Sequence, residues 1–194
     1  MANISSICVY CGSRVGDDPS YQTLAQELGR RFAEQQVRLI YGGGQVGLMG
    51  IIADAVMHAG GEVVGIIPGF LDDREVGHGN LTELKVVPDM HTRKRLMFEM
   101  SDAFVAMPGG IGTLDELMEI MTWRQLSQHE KPIYALDHAG YWRPLKYLID
   151  HIVASEFAGS ETSEMIQWPT TVEELFAMIA VAPIPGSVGH SERL

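Results

Sequence analysis

Positive charge is scarce in this sequence. Its 194 residues include 14 Lys and Arg against 25 Asp and Glu, which gives a formal net charge of −11 at pH 7. A surface with this excess of negative charge repels phosphate at long range. We therefore expect neither a nucleic-acid polymer nor a membrane as a partner, although the charge is compatible with one small anion bound in a local pocket.

Long apolar runs are absent as well. No stretch approaches the ~20 apolar residues that span a bilayer, and the start of the sequence lacks a basic segment followed by an apolar stretch and a cleavage site. These features predict a cytoplasmic protein. The length fits one domain. We predict this domain at residues 1–182, followed by a flexible tail at 183–194, where apolar periodicity is lost.

Cysteine is limited to two residues, Cys8 and Cys11. A single Cys-x-x-Cys without a second ligand pair does not make a structural zinc site. Both cysteines end the apolar run ISSICVYC, which predicts a buried strand, whereas redox-active pairs favour an electropositive helix start. The pattern favours two buried structural thiols, with a redox pair as the alternative. Scattered histidines and the lack of a Schiff-base lysine motif lead us to expect neither a metal nor a cofactor.

Short β-rich runs alternate with longer helical patterns, which is typical of βαβ units. The predicted strands are residues 4–10, 37–41, 62–67, 84–87, 103–107 and 132–136. The predicted helices are residues 19–35, 46–59, 90–100, 113–126, 142–155 and 172–180. We expect a Rossmann-like α/β fold: a doubly wound, mostly parallel sheet with helices on both faces. Such sheets bind ligands outside the carboxyl ends of their strands.

The glycine-rich segment GGGQVGLMG, residues 42–50, follows a predicted strand and opens a helix. Glycines such as Gly43 and Gly44 let backbone N–H groups approach an anion, and the helix start adds positive potential. The match to G-x-G-x-x-G is weak, because the candidate acid Glu62 begins the next strand instead of ending it. The absence of a following Lys-Ser or Lys-Thr excludes a Walker A site. A tight strand-to-helix turn is the alternative.

A second glycine segment, PGGIGTLDE at residues 108–116, also follows a strand and precedes a helix, and it predicts a second anion cradle. Thr113 and Glu116 have the spacing of a capping box, in which the Glu side chain bonds back to the N–H of the cap. The functional alternative is a carboxylate placed beside a glycine cradle at the ligand-binding edge. A polar connection at residues 68–81 is predicted to lie near this site.

Three cations begin the helix predicted after Asp89, which is its expected cap. Arg93, Lys94 and Arg95 oppose the helix dipole, which disfavours cations in the first turns. Either they form a solvated or acid-paired face, or they bind a phosphate, which suits an Arg fork with a neighbouring Lys.

Together and in this order, the segments GGGQVGLMG, MHTRKRLM and PGGIGTLDE resemble the LOG family of cytokinin riboside 5′-monophosphate phosphoribohydrolases. The resemblance runs from the CVYCGS start to about residue 157. It implies a Rossmann-like homodimer that hydrolyses the N-glycosidic bond of N6-substituted adenosine 5′-monophosphates, which releases the free base and ribose 5-phosphate. It implies that Arg93 and Glu116 are catalytic. The implied nucleotide contacts are Arg93 and Glu75, Lys94, Gly109, Gly110, Ile111, Gly112, Thr113, Leu114, Asp115 and Thr122.

The chemistry of these residues agrees with that reaction. A carboxylate such as Glu116 can stabilise an oxocarbenium-like sugar and orient or deprotonate water. Arg93 can stabilise the leaving purine or hold the sugar phosphate, and the sequence leaves both roles open. Two alternatives are a nucleotide-binding or sensor module on the same fold without turnover, and an amino-acid decarboxylase, which would need a cofactor lysine that the sequence does not reveal.

Overall fold

The computed structural model of this chain describes residues 4–71 and 77–182. Seven described strands form one sheet, in which every pair of neighbours is parallel. The strands are β1 (Ser6–Tyr10), β2 (Arg38–Tyr41), β3 (Val63–Pro68), β4 (Glu83–Val87), β5 (Ala103–Ala106), β6 (Ile133–Ala135) and β7 (Ile166–Gln167). Their order across the sheet is β4-β3-β2-β1-β5-β6-β7. The predicted tail at 183–194 and Glu75 lie outside the described residues.

The helices alternate with the strands. They are α1 (Ser20–Glu34), α2 (Gly47–His58), α3 (Met90–Glu99), α4 (Ile111–Gln125), α5 (Arg143–Ala154) and α6 (Val172–Val181), with 3₁₀ turns at His138–Gly140 and Ser160–Glu164. Each predicted strand and helix is confirmed, with ends that differ by at most two residues. Sequence reasoning missed β7, since two residues are too short to show a period.

Two hydrophobic clusters cover the two faces of the sheet, which confirms the doubly wound prediction. One cluster packs α1, α2 and α6 against the sheet, through side chains such as Leu28, Ile52 and Leu175. The other packs α4 and α5 against the opposite face, through Leu117 and Ile149 among others. The strands β1, β3 and β5 are buried along their whole length, because helices cover both of their faces.

The two cysteines lie in these clusters, on opposite faces. Cys8 joins the cluster around α4 and α5, whereas Cys11 joins the one around α1 and α2. Both thiols are free and buried, and burial raises the pKa of each far above its usual range. The prediction of two buried structural thiols is therefore confirmed. A redox pair is excluded by geometry, because the two side chains point to different layers.

Strand order reverses between β1 and β5, and this reversal places the candidate site. Chain connections run outward in both directions from this pair, so a crevice opens at the carboxyl ends of the two strands. The segments that follow β1, β2 and β5 meet there. None of the helices in the described part of the chain is both long and apolar enough to cross a membrane.

Candidate active site

The loops after β1 and β5 pack closely at the crevice. Gly12 N donates to the carbonyl oxygen of Pro108 at 3.1 Å. A Cβ at Gly109 would lie 2.9 Å from Gly12 N and would collide with the Thr113 hydroxyl. Only glycine fits at position 109, because both neighbours belong to packed segments. The two loops therefore form one rigid floor for the crevice.

Arg93 is held at this edge of the sheet by two backbone carbonyls. The helix α3 that carries it is capped by Asp89, whose carboxylate accepts from Thr92 N at 2.8 Å. The guanidinium Nε donates to Ile66 O at 3.1 Å, and Nη2 donates to Gly42 O at 3.2 Å. A Cβ at Gly42 would collide with this guanidinium. The buried cation is thus held by the carbonyl oxygen of Ile66 in β3 and by that of Gly42, which directly follows β2.

Glu116 faces Arg93 from α4. Its Oε1 lies 3.7 Å from Arg93 Nη1, and the two side chains are only 12% and 10% exposed. Burial raises the pKa of Glu116 to about 7; Arg93 and Lys94 oppose this rise, while Asp115 and Glu119 add to it. A carboxyl that titrates near neutrality is suited to exchange protons with a reacting group.

The capping-box prediction for Thr113 and Glu116 is wrong. Helix α4 begins at Ile111, and its N-cap is Gly110 in an extended conformation. No side chain in the described residues caps this helix. Thr113 lies inside the first turn and is buried, so it cannot act as the cap. Because a glycine occupies the cap, the N–H groups of the first turn are left to an outside acceptor.

These groups surround a cavity of about 240 Å³. Its walls include Ser13, Arg93, Glu116 and the first turn of α4 from Gly110 to Thr113, with Met49 and Met90 as the apolar part. A second cavity of about 300 Å³ adjoins it at Ser13 and Gly110 and is bordered by Arg14, Tyr21 and Tyr141. The cationic Arg93 and the acidic Glu116 line the smaller cavity, and the larger one lies next to it.

The three cations of α3 have three different environments. Arg93 faces the cavity. Lys94 forms ion pairs with Asp115 at 2.6 Å and with Glu119 at 3.3 Å, and Arg95 is exposed. The solvated or acid-paired explanation therefore applies to Lys94 and Arg95, whereas phosphate binding by these cations stays a prediction.

Several predicted contacts lie away from the two cavities. Gly43 packs against Ile67 in a left-handed conformation at φ +78°, and Gly44 forms a β-bridge to Gly77. These two glycines serve the tight-turn interpretation of their segment. Thr122 donates to its own helix at Met118 O, and Leu114 is partly buried against the core. Asp115, by contrast, lines the cavity beside Glu116.

The predicted loop at residues 68–81 reaches the site region through its described end. Residues 77 and 78 contact the glycine segment, since His78 N donates to Gly43 O at 3.2 Å. Residues 72–76, with Glu75 among them, lie outside the described part of the chain.

Sequence reasoning missed the residues that follow β1. Ser13 and Arg14 line the two cavities directly after the carboxyl end of that strand, and the edge rule for parallel sheets could have found them. Tyr141 was not foreseeable, because it comes from a short 3₁₀ connection. Its hydroxyl donates to Gly109 O, and its ring meets Tyr21 edge-on at 5.7 Å.

Within residues 4–71 and 77–182, no three His, Cys, Asp or Glu side chains group as potential metal ligands. The groups present at the site are a buried carboxyl, a guanidinium fixed by two carbonyls and the N–H donors of a helix start.

Several known proteins are similar to this chain in sequence. A family model described as "possible lysine decarboxylase" matches residues 49–179. The chain is 45% identical over 169 residues to the cytokinin riboside 5′-monophosphate phosphoribohydrolase LOG7 of Arabidopsis thaliana, which covers 87% of this chain and 78% of the relative. It is 43% identical over 175 residues to the cytokinin riboside 5′-monophosphate phosphoribohydrolase of Rhodococcoides fascians, with coverage of 90% and 88%.

Solved structures share the fold. The crystal structure of TM1055 superposes with a TM-score of 0.69 at 26% identity and covers 91% of this chain and 99% of its own. The molybdenum cofactor carrier protein of Chlamydomonas reinhardtii reaches the same TM-score at 19% identity, with coverage of 92% and 97%. The second likeness shows the fold alone, and it illustrates that one fold can hold unrelated ligands.

Proposed function

This chain belongs to the LOG family of cytokinin riboside 5′-monophosphate phosphoribohydrolases, and we propose on that basis how its site performs the reaction. The substrate is an N6-substituted adenosine 5′-monophosphate, and the products are the free base and ribose 5-phosphate. Release of the base activates cytokinin-type nucleotides. The observation that carries the assignment of the site is the pair Arg93 and Glu116, 3.7 Å apart beside an uncapped helix start.

The first turn of α4 is assigned to the 5′-phosphate. Its N–H groups lack a side-chain cap among the described residues, and the helix dipole favours a dianion at this end. Gly110 and Gly112 keep the approach open, because a Cβ at either position would meet no atom within 4 Å. A phosphate held here places the ribose over the cavity that contains Glu116, which explains why a monophosphate is required.

Glu116 is assigned to the reacting sugar. As the bond from C1′ to the base nitrogen breaks, its electron pair leaves with the base and the sugar becomes positively charged. An ionised Glu116 stabilises this charge and accepts a proton from the water that attacks C1′. The raised pKa of about 7 makes the carboxylate basic enough for that transfer.

Arg93 is assigned to Glu116 and the leaving base. Nε donates to Ile66 O and Nη2 to Gly42 O, while Nη1 donates to Met90 Sδ at 3.8 Å and lies 3.7 Å from Glu116 Oε1. In this position the guanidinium favours the ionised form of Glu116. It also offers positive charge to the base as the base acquires electrons. The base takes up a proton from solvent and leaves as the neutral free base, while Glu116 returns its proton to solvent. The phosphate then depends on backbone donors and not on this side chain.

A homodimer in the cytoplasm is the assembly that we propose from the family resemblance. A dimer formed at the rim of the cavity would cover Ile111, which begins α4 there and is 82% exposed. Light scattering coupled to gel filtration measures the mass, and a monomer at micromolar concentration would count against the dimer.

A decarboxylase, the activity named in the family model's description, would need a lysine that is able to form a Schiff base. The chain has four lysines, and the Nζ of each donates a hydrogen bond to a neighbouring residue: Lys85 to Glu83, Lys94 to Asp115, Lys131 to Phe98 O and Lys146 to Asp150. A sensor module without turnover would not need a basic carboxyl beside a guanidinium. The site therefore favours the hydrolase.

The test incubates the purified full chain with AMP and with N6-isopentenyl-AMP and follows free base and ribose 5-phosphate by chromatography. We expect both products from the wild type and a loss of at least about 100-fold in kcat for Glu116→Gln. The control is Glu99→Gln, which changes an exposed carboxylate at the end of α3 and should keep full activity. Substrate binding without product formation in the wild type would establish the sensor alternative.

A further inference from the structure

His78 is a buried polar side chain that the proposed mechanism does not use. Its side chain is 5% exposed, and its Nε2 lies 3.0 Å from Oδ1 of Asp54, which is 54% exposed on α2. Nδ1 accepts from Asn80 N at 3.4 Å, which leaves Nε2 to donate to the carboxylate. The imidazole thus ties the segment after residue 76 to a helix on one face of the sheet.

The backbone at His78 is tied to the glycine segment. His78 N donates to Gly43 O at 3.2 Å, and the preceding Gly77 forms an antiparallel bridge with Gly44. Residues 42–44 are therefore held from one side by the segment at 77–78. They have no side chains of their own with which to fix their position, so these backbone contacts decide where their carbonyls lie.

Arg93 contacts the first of these three residues, Gly42. Its Nη2 donates to Gly42 O at 3.2 Å, and its Nη1 lies 3.7 Å from Glu116. A continuous series of contacts thus runs from Asp54 through His78 and the glycine segment to Arg93 and Glu116. Each contact joins atoms of residues that are distant in sequence.

We propose that His78 is a positioning residue: its bond to Asp54 fixes the glycine segment and, through the Gly42 carbonyl, the orientation of Arg93 toward Glu116. This inference rests on the proposed function of Arg93 and Glu116. His78 lines neither of the two cavities described above. It determines how firmly the guanidinium is held, and small displacements of a catalytic group cost large factors in rate.

The test compares His78→Ala, Asp54→Ala and the double variant with the wild type, with AMP as the substrate and at a temperature well below each Tm. We expect each single variant to lower kcat by about tenfold while KM changes less than twofold. The double variant should lose no more than either single one, because both remove the same bond. His78→Gln keeps an N–H donor and should restore most of kcat.

A second readout separates positioning from a purely structural role. Because Arg93 lowers the pKa of Glu116, a loosened guanidinium should move the acidic limb of the kcat/KM profile to higher pH in His78→Ala. The limb should return to its wild-type position in His78→Gln, which cannot titrate. A lower Tm with unchanged kcat and an unchanged limb would overturn the proposal and leave His78 as a structural residue.

The matched control is His58→Ala. His58 also bonds to Asp54, but through the backbone: its Nδ1 lies 2.6 Å from Asp54 O, and its ring faces the groove between α1 and α2. We expect wild-type kcat for this variant, and a loss equal to that of His78→Ala would refute a route through the glycine segment. Inactivity of the wild type would refute the proposed function itself, so the two failures are distinguishable.

Discussion

The guanidinium of Arg93 and the carboxyl of Glu116 meet at 3.7 Å although they are carried by different helices that follow different strands. Each alone would be an unfavourable buried charge, because transfer of an ion out of water costs several kcal/mol. Arg93 is compensated mainly by two carbonyls, and Glu116 keeps a raised pKa. The arrangement of this pair therefore leaves the Glu116 carboxyl basic.

The activity should rise with pH. Because Glu116 has a pKa of about 7 and acts in its ionised form, kcat/KM for AMP should increase through neutrality and level off above pH 8. Initial rates between pH 5 and 9 measure this. A profile that falls across the same range would mean that Glu116 donates a proton instead.

Glu116→Gln should be stabilising at high pH. Burial raises the pKa of Glu116 from its ordinary 4.5 to about 7, so between these values the folded protein binds more protons than the unfolded chain. The free energy of unfolding of the wild type therefore falls as pH rises through that window. Gln does not titrate, and the variant should gain roughly 3 kcal/mol over the wild type between pH 4 and pH 8. Urea unfolding at both pH values measures the gain, and a constant difference would contradict it.

Gly42→Ala should inactivate the protein through Arg93. The new methyl group would occupy the space of the guanidinium, which must then leave its two carbonyls. We expect a loss in kcat of at least about tenfold, with little change in KM, because the phosphate is held elsewhere. The control is Gly79→Ala, whose added Cβ would meet nothing within 4 Å. Equal activity of the two variants would show that the position of Arg93 is unimportant.

Gly112→Asp should weaken substrate binding without lowering the stability of the protein. Position 112 lies in the first turn of α4 and has space for a side chain. An acid there interacts favourably with the helix dipole, by about 0.3–1 kcal/mol, yet it repels the 5′-phosphate. We therefore expect a KM for AMP raised more than about tenfold together with an unchanged or higher Tm. Gly112→Ala controls for side-chain size, and a normal KM in the Asp variant would place the phosphate elsewhere.

The fold could be predicted from sequence because most of its strands are short, apolar and buried, and because its helices show a regular apolar period. Only β7 at Ile166–Gln167 escaped. The site could be predicted less completely. Thr113 and Glu116 match a capping box by spacing alone. Whether Thr113 is the cap depends on where the helix begins, and the extended backbone of Gly110 makes it begin at Ile111. Spacing contains no information on that conformation.

The pairing of Arg93 with Glu116 and the contacts of His78 depend on packing between elements that are distant in sequence. Local patterns identify each residue as a candidate, but they do not say which neighbours it meets. Gly43 and Gly44 are a further case, since their glycine-rich pattern predicts ligand contacts and these stay a prediction. In the structure Gly43 packs against Ile67 and Gly44 forms a bridge to Gly77, and the sequence pattern shows neither contact.

The uncapped start of α4 has a consequence for how substrate preference can diverge. Main-chain N–H groups hold the phosphate in the proposed complex, and a point substitution cannot remove a main-chain N–H unless it introduces proline. Side chains such as Met49 and Met90 line the rest of the cavity and can be exchanged one at a time. Recognition of the phosphoribosyl half of the substrate is therefore hard to alter by substitution, whereas recognition of the purine half can change during evolution.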